Sequence, residues 1–257
     1  QFNTDEKKEC LRNQIEKEAQ GKMWVVDNSD HADSSLLAGL FNDIIVSVDI
    51  YGELRFKSLW ERLGHIKPYS SVYKNLLGMY GERHRVYHSL AHIIDGLTVF
   101  REAEPRLENP LLVECAWWFH DSVYRTEMVQ NEEESAAVAR TFLSEGRIPE
   151  SDIDKIASMI LATSHEAPPE DNDTAYLLDI DLAILGKPSP VFQEYNRKIR
   201  EEYLSIPEGE FRERRAIFLE RFLSRESIFH TDLFIKRYEK QARTNIRSTI
   251  ERLRNGE

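Results

Sequence analysis

An all-α fold is what this sequence predicts, and three observations carry the prediction. From Leu54 onward apolar residues recur at helical spacing, first at Leu59, Trp60 and Leu63, then at Val72, Tyr73, Leu76, Leu77 and Tyr80. Pro68, Gly81 and the pair Pro168 and Pro169 break the chain between such faces. In its middle lies Leu111–Tyr124, LLVECAWWFHDSVY, whose apolar residues cover nearly every side and so predict a buried central helix.

Taken in order, Thr4–Glu18 predicts a polar amphipathic helix, with Thr4 at the N-cap and glutamates within a turn of Lys7 and Lys8. Lys22–Val26 is a short β-branched patch and Asn28–Ser35 a polar break. Leu36–Tyr51 is apolar with a β-rich second half, and we expect a helix over Leu36–Ile45. Residues 1–52 form an N-terminal extension and residues 53–257 the main domain. Glu82–Glu104 predicts one helix in which His88, His92 and Asp95 share a face while Leu90, Ile93, Ile94, Leu97 and Phe100 reach a core. After the central helix, Asn131–Glu145 is alanine-rich and helical, Ser151–Ser164 opens on a serine N-cap, and Thr174–Leu185 follows the proline-rich break. Val191–Tyr203, Glu210–Leu223 and Asp232–Leu253 complete the set as amphipathic helices. No repeat, low-complexity segment or glycine-rich phosphate loop interrupts them.

Composition excludes several classes of function. The 257 residues are 41% hydrophobic and 31% charged, with no apolar run of the roughly 18 residues that a membrane span needs. A net charge of −11 opposes binding to nucleic-acid polymers, whose sequence-independent affinity comes from clustered Lys and Arg. Cys10 and Cys115 are the only cysteines, which argues against a disulfide framework and a thiolate zinc site and points to a reducing, cytoplasmic setting. An anionic substrate then needs local positive charge, which a metal ion and a few inward arginines supply.

The candidate chemistry lies in histidines and aspartates within apolar surroundings. A buried carboxylate needs a cation, and at the end of the central helix Asp121 has His120 beside it. Capping of that helix's C-terminus is the alternative for this pair. His88 and His92, four apart on one predicted helical face, either chelate a metal or make ordinary hydrogen bonds. His165 ends an apolar helix, and Asp179 and Asp181 sit inside LLDIDLAIL with no basic residue close in sequence. Mixed imidazole and carboxylate donors suit zinc, iron or manganese, and carboxylate with water suits magnesium, so the divalent ion is not identified.

The order H…HD…D resembles the HD superfamily of metal-dependent phosphohydrolases. Tyr87–His92 is similar to the YHNxxH string of cyclic-nucleotide phosphodiesterases, and Leu161–Thr163 and Asp179–Leu182 to two further strings of that group. The resemblance is sharper to a group of stand-alone HD phosphohydrolases, through R-x-Y-H-x-x-x-H (Arg85–His92), W-F-H-D-x-V-Y (Trp118–Tyr124), N-E-x-x-S-A (Asn131–Ala136), A-T-x-x-H (Ala162–His165), D-x-D-L-x-I-L-G (Asp179–Gly186) and I-R-x-E-Y (Ile199–Tyr203). It covers about Phe56 to Leu253. The chain departs from the phosphodiesterases in lacking their late glutamine and aromatic clamp, and from HD nucleotidases in carrying Tyr124 and Arg125 where H-D-x-x-E would continue.

The resemblance implies a helical bundle with His92, His120, Asp121 and Asp181 ligating a central metal. It further implies that His88 acts as a general acid or phosphate contact, that Asn131 and Glu132 orient the attacking water, and that His165 and Asp179 serve a second metal or support the first. Arg85 and Arg200 are the expected phosphate holders, because guanidinium pairs bidentately with phosphate; surface ion pairing is their other reading. The expected function is hydrolysis of a phosphate ester of a small molecule, a nucleotide or related metabolite, by hydroxide generated at the metal. A di-iron oxygenase and a non-catalytic nucleotide sensor on the same scaffold are the alternatives. The partners this implies are a small phosphorylated substrate, no nucleic-acid polymer and no membrane, and a homo-oligomer is compatible with the sequence.

Overall fold

The computed structural model describes residues 50–127 and 130–256. The helices expected at Thr4–Glu18 and Leu36–Ile45 lie outside the described residues. Among those described there are ten α-helices and no strand. They are α1 (50–62), α2 (Tyr69–Tyr80), α3 (Leu90–Ala103), α4 (Pro110–Phe119), α5 (Asn131–Leu143), α6 (Glu150–Ala162), α7 (Asn172–Leu182), α8 (Ser189–Glu202), α9 (Glu208–Leu223) and α10 (Asp232–Asn255). Short 3-10 turns occupy Glu104–Arg106 and Ala183–Gly186. Among the described residues no helix is long and apolar enough to cross a membrane.

The sequence LVECAWWF makes α4 the centre of the bundle. Pro110, whose fixed φ and missing N–H suit a first helical turn, starts it. Asp173 at the start of α7 accepts from the N–H groups of Glu108 and Asn109 at 2.7 and 2.8 Å and so anchors its entry. Every residue from Leu112 to Phe119 is buried, including Glu114, whose carboxylate takes two bonds of 2.6 and 2.8 Å from Arg55 on α1. Each large apolar side chain buried here contributes about 1.5–3 kcal/mol. Helices α3, α5, α6 and α7 pack around α4. The approach of α3 depends on Gly96, where a Cβ would meet the Trp117 ring at 1.9 Å. Trp117 also donates from Nε1 to the Ile93 carbonyl at 2.9 Å, which locks the two helices in register.

Two predicted boundaries move, and both matter for the site. Glu82–Glu104 is not one helix, because α3 begins only at Leu90 and Ser89 is extended. The N–H groups of Val86, Tyr87 and His88 are taken at 2.8, 2.7 and 2.8 Å by one oxygen of Glu202, which holds this segment outside the helix. His88 and His92 therefore do not share a helical face. His120 and Asp121 likewise follow the last turn of α4, with His120 as its C-cap.

Candidate metal centre

Backbone bookkeeping at the end of α4 explains why His120 and Asp121 point where they do. The last carbonyls of a helix lack intrahelical partners and must find donors. Here Trp117 O accepts from His120 Nδ1 at 2.8 Å, Trp118 O from the Tyr80 hydroxyl at 2.9 Å, and Phe119 O from Ser122 N at 3.0 Å. Arg85 donates to the carbonyls of Asp121 and Ser122 at 2.5 and 3.0 Å. Because His120 Nδ1 is the donor, its Nε2 carries a lone pair, the tautomer that binds a metal.

That lone pair faces other electron-rich atoms. His92 Nε2 on α3 is 3.3 Å from His120 Nε2, and Asp181 Oδ1 on α7 is 3.4 and 3.8 Å from the two. The donor atoms of His92, His120 and Asp181 all lie within 4.8 Å of one another. Asp121 Oδ2 joins at 3.2 Å from His120 Nε2 and 3.6 Å from His92 Nε2. Ligands bound at about 2.1 Å to one ion stand roughly 3.0–3.4 Å apart, so this spacing fits a shared divalent cation. The electrostatics agree. Burial opposes charge on His120, yet Asp121 and Asp181 raise its pKa well above the imidazole range. Burial also opposes charge on the two aspartates, yet the neighbouring histidines hold both carboxyls below the usual range. The cluster thus attracts positive charge into a largely dry site. His92, His120 and Asp181 could hold a metal ion, Asp121 stands beside the two histidines, and no other group of this kind occurs among the described residues.

A cavity of about 410 Å³ opens on the cluster. His88, Glu132 and His165 line it together with His120, Asp121 and Asp181. His88 stacks on Tyr124 at 3.9 Å, and its Nδ1 is 2.6 Å from Glu202 Oε2, which leaves Nε2 as its working atom. The Glu202 side chain is fully buried; burial opposes its charge, but the bond to His88 keeps its carboxyl below the usual range. Burial pushes the Glu132 carboxyl upward, and the charges of Asp121 and Asp181 add to the rise. His165 sits at φ 56° in the loop after α6 and places Nε2 2.9 Å from Asp181 Oδ2, so it supports a ligand of the cluster.

Four expected site residues have other work. Arg85 is buried and spends its guanidinium on Glu82 and the Asp121 and Ser122 carbonyls, so it clamps the turn. Arg200 binds Glu208 and the carbonyls of Tyr203 and Ile206, closing the turn between α8 and α9. Asn131 exchanges bonds of 2.9 and 3.0 Å with the backbone of Arg125. Asp179 is two residues from Asp181, about 200° round the helix, and accepts from His230 N, Thr231 N and Thr231 Oγ1 at 2.7–2.8 Å. It fixes the entry to α10; burial lifts its carboxyl to about 6 although those donors lower it.

Glu202 and Arg215 escaped the sequence reading. Glu202 is the glutamate of I-R-x-E-Y, a string read for its arginine, whereas Arg215 stands in a run of charged residues with nothing to distinguish it. Set against known proteins, the chain matches no family model, no curated protein and no solved structure.

Proposed function

We propose that this chain is a metal-dependent phosphohydrolase of the HD type, acting on a phosphate ester of a small organic molecule. The observation that carries the reading is the convergence of His92 of α3, His120 at the end of α4 and Asp181 of α7 at a spacing that could hold one cation, with Asp121 beside the two histidines. A divalent ion held there lowers the pKa of water toward neutrality and polarises a phosphoryl oxygen. Glu132, its pKa raised by burial and neighbouring carboxylates, receives the proton of the attacking water. As the P–O ester bond breaks, His88 gives the proton on Nε2 to the departing oxygen, and Glu202 steadies the charged imidazole from the other side. Arg85, Tyr80 and Ser122 keep the turn that carries His120 and Asp121 from shifting.

The test is metal analysis of protein purified without chelator, followed by phosphate release from a set of phosphate monoesters, in wild type and Asp121→Ala. Bound Mg, Mn, Zn or Fe with phosphate release, both lost in the variant, supports the reading. Undiminished phosphate release by Asp121→Ala overturns it, and two irons per chain with oxygen consumption transfers the site to oxygenase chemistry.

A further inference from the structure

The cavity has a second character away from the cluster. Tyr195 and Ile199 of α8 and Phe211, Phe218 and Phe222 of α9 give it an apolar, largely aromatic wall. Into that wall projects Arg215, whose guanidinium carbon lies 5.2 Å from the ring centroids of both Tyr195 and Phe218. Its Nη2 donates to Asn196 Oδ1 at 3.2 Å, and no carboxylate among the described residues lies within ion-pair distance of it. Its neighbours differ: Arg214 is paired with Glu210, Arg200 with Glu208 and Arg85 with Glu82.

Such an arrangement suits an anion. Aromatic faces hold the guanidinium plane without neutralising it, so little side-chain entropy remains to be lost when a ligand binds. The plane still offers N–H groups at the cavity, and charge-assisted bonds to carboxylate or phosphate are about twice as strong as neutral ones. Partial burial among rings reduces competition from water. We propose that Arg215 binds a second anionic group of the substrate, so that the cavity takes an organic phosphate with one charged end at the His–Asp cluster, an apolar body along the aromatic wall, and a phosphate or carboxylate at Arg215. The first of these contacts rests on the phosphohydrolase reading; the second does not.

The experiment is titration calorimetry on the full chain with its metal, using butyl to octyl monophosphates, the matching α,ω-bisphosphates and the matching ω-carboxyalkyl phosphates. Wild type binds the doubly charged probes about tenfold or more tightly than the monophosphate of equal length, and the better of the two doubly charged series names the second group. Arg215→Gln brings the affinities within about twofold of each other, while Arg215→Lys, which keeps the charge and loses the fork, retains part of the gap. Equal affinities in wild type at every length, or a gap that survives Arg215→Gln, overturns the proposal. Phosphate release from the same monophosphates reports separately on hydrolysis: release without a gap sinks the second-anion site alone, and a gap without release sinks the hydrolase reading alone.

Discussion

The two walls of the cavity are built by different rules. Around the His–Asp cluster the supporting side chains are tied to backbone: His120 to Trp117 O, Arg85 to the Asp121 and Ser122 carbonyls, and Glu202 to three N–H groups. On the α8 and α9 side, Arg215 is held by two rings and one amide, Arg214 is exposed, and Phe218 is 39% exposed at the surface. Metal ligation and proton transfer demand atoms fixed to within about half an ångström, and backbone tethers provide that. Recognition of an organic body needs shape and one well-placed charge. Under the proposed function the contrast separates the wall that sets the reaction from the wall that selects the molecule.

The largest effect expected comes from splitting Asp181 and Asp179. Asp181→Asn removes an anionic donor, so metal content falls to trace levels and phosphate release drops by about a thousandfold, and the urea midpoint falls as well because the histidines lose a carboxylate that they hold in its charged form. Asp179→Asn leaves the ligands in place but sets an amide NH2 against one or two of the three donors, and unfolding free energy falls by about 2–4 kcal/mol with metal retained. Metal analysis and urea titration on both variants check the pair; loss of metal in Asp179→Asn would merge the two roles. Next in size is Arg85→Ala. It leaves two carbonyls of the turn after α4 without their donor and costs about 2–4 kcal/mol, with metal affinity weakened in step. A change confined to KM, with stability intact, would return Arg85 to phosphate binding.

How much of this was legible beforehand follows from the same contrast. The helices from α2 to α10 were readable because period and breaks are local properties, and the central role of LVECAWWF because a run that is apolar all round has nowhere to go but inside. His92, His120 and Asp181 come together as the resemblance to HD phosphohydrolases implies, each lying in one of the strings that carry it. The roles of Arg85, Arg200 and Asp179 were not readable. A guanidinium or carboxylate beside a candidate site serves the ligand or the backbone according to which neighbours lack partners, and those neighbours are 36 or more residues away for Arg85 and 51 or more for Asp179. His88 was misplaced for the same reason: only a carboxylate 114 residues later stops its segment from joining the helix.

Glu202→Gln gives a smaller, more specific effect. The amide no longer fixes the proton on His88 Nδ1, so turnover falls about 10- to 100-fold. Stability changes with a defined sign. The Glu202 carboxyl is held below its unfolded value of about 4.3, so its contribution is present above that pH and is lost as pH falls. The variant loses that acid-sensitive increment, which urea midpoints at neutral and acidic pH measure.

The smallest effect is expected at Arg200, and it tests whether the two walls are independent. Its bonds to Glu208, Tyr203 O and Ile206 O, at 2.7, 2.6 and 3.1 Å, join the end of α8 to the start of α9, and its guanidinium carbon lies 4.7 Å from the Phe211 ring centroid. The side chain is 24% exposed, so water replaces part of what Arg200→Ala removes and the loss is about 1 kcal/mol. None of those partners touches the His–Asp cluster, so metal content and phosphate release from a simple monoester stay within about twofold. What shifts is the seat of α9. Affinity for a doubly charged probe falls more than affinity for a monophosphate, because Arg215 rides on that helix while His120 and Asp181 do not. If both affinities fell together and metal were lost, the walls would be one mechanical unit and the division of labour drawn here would fail.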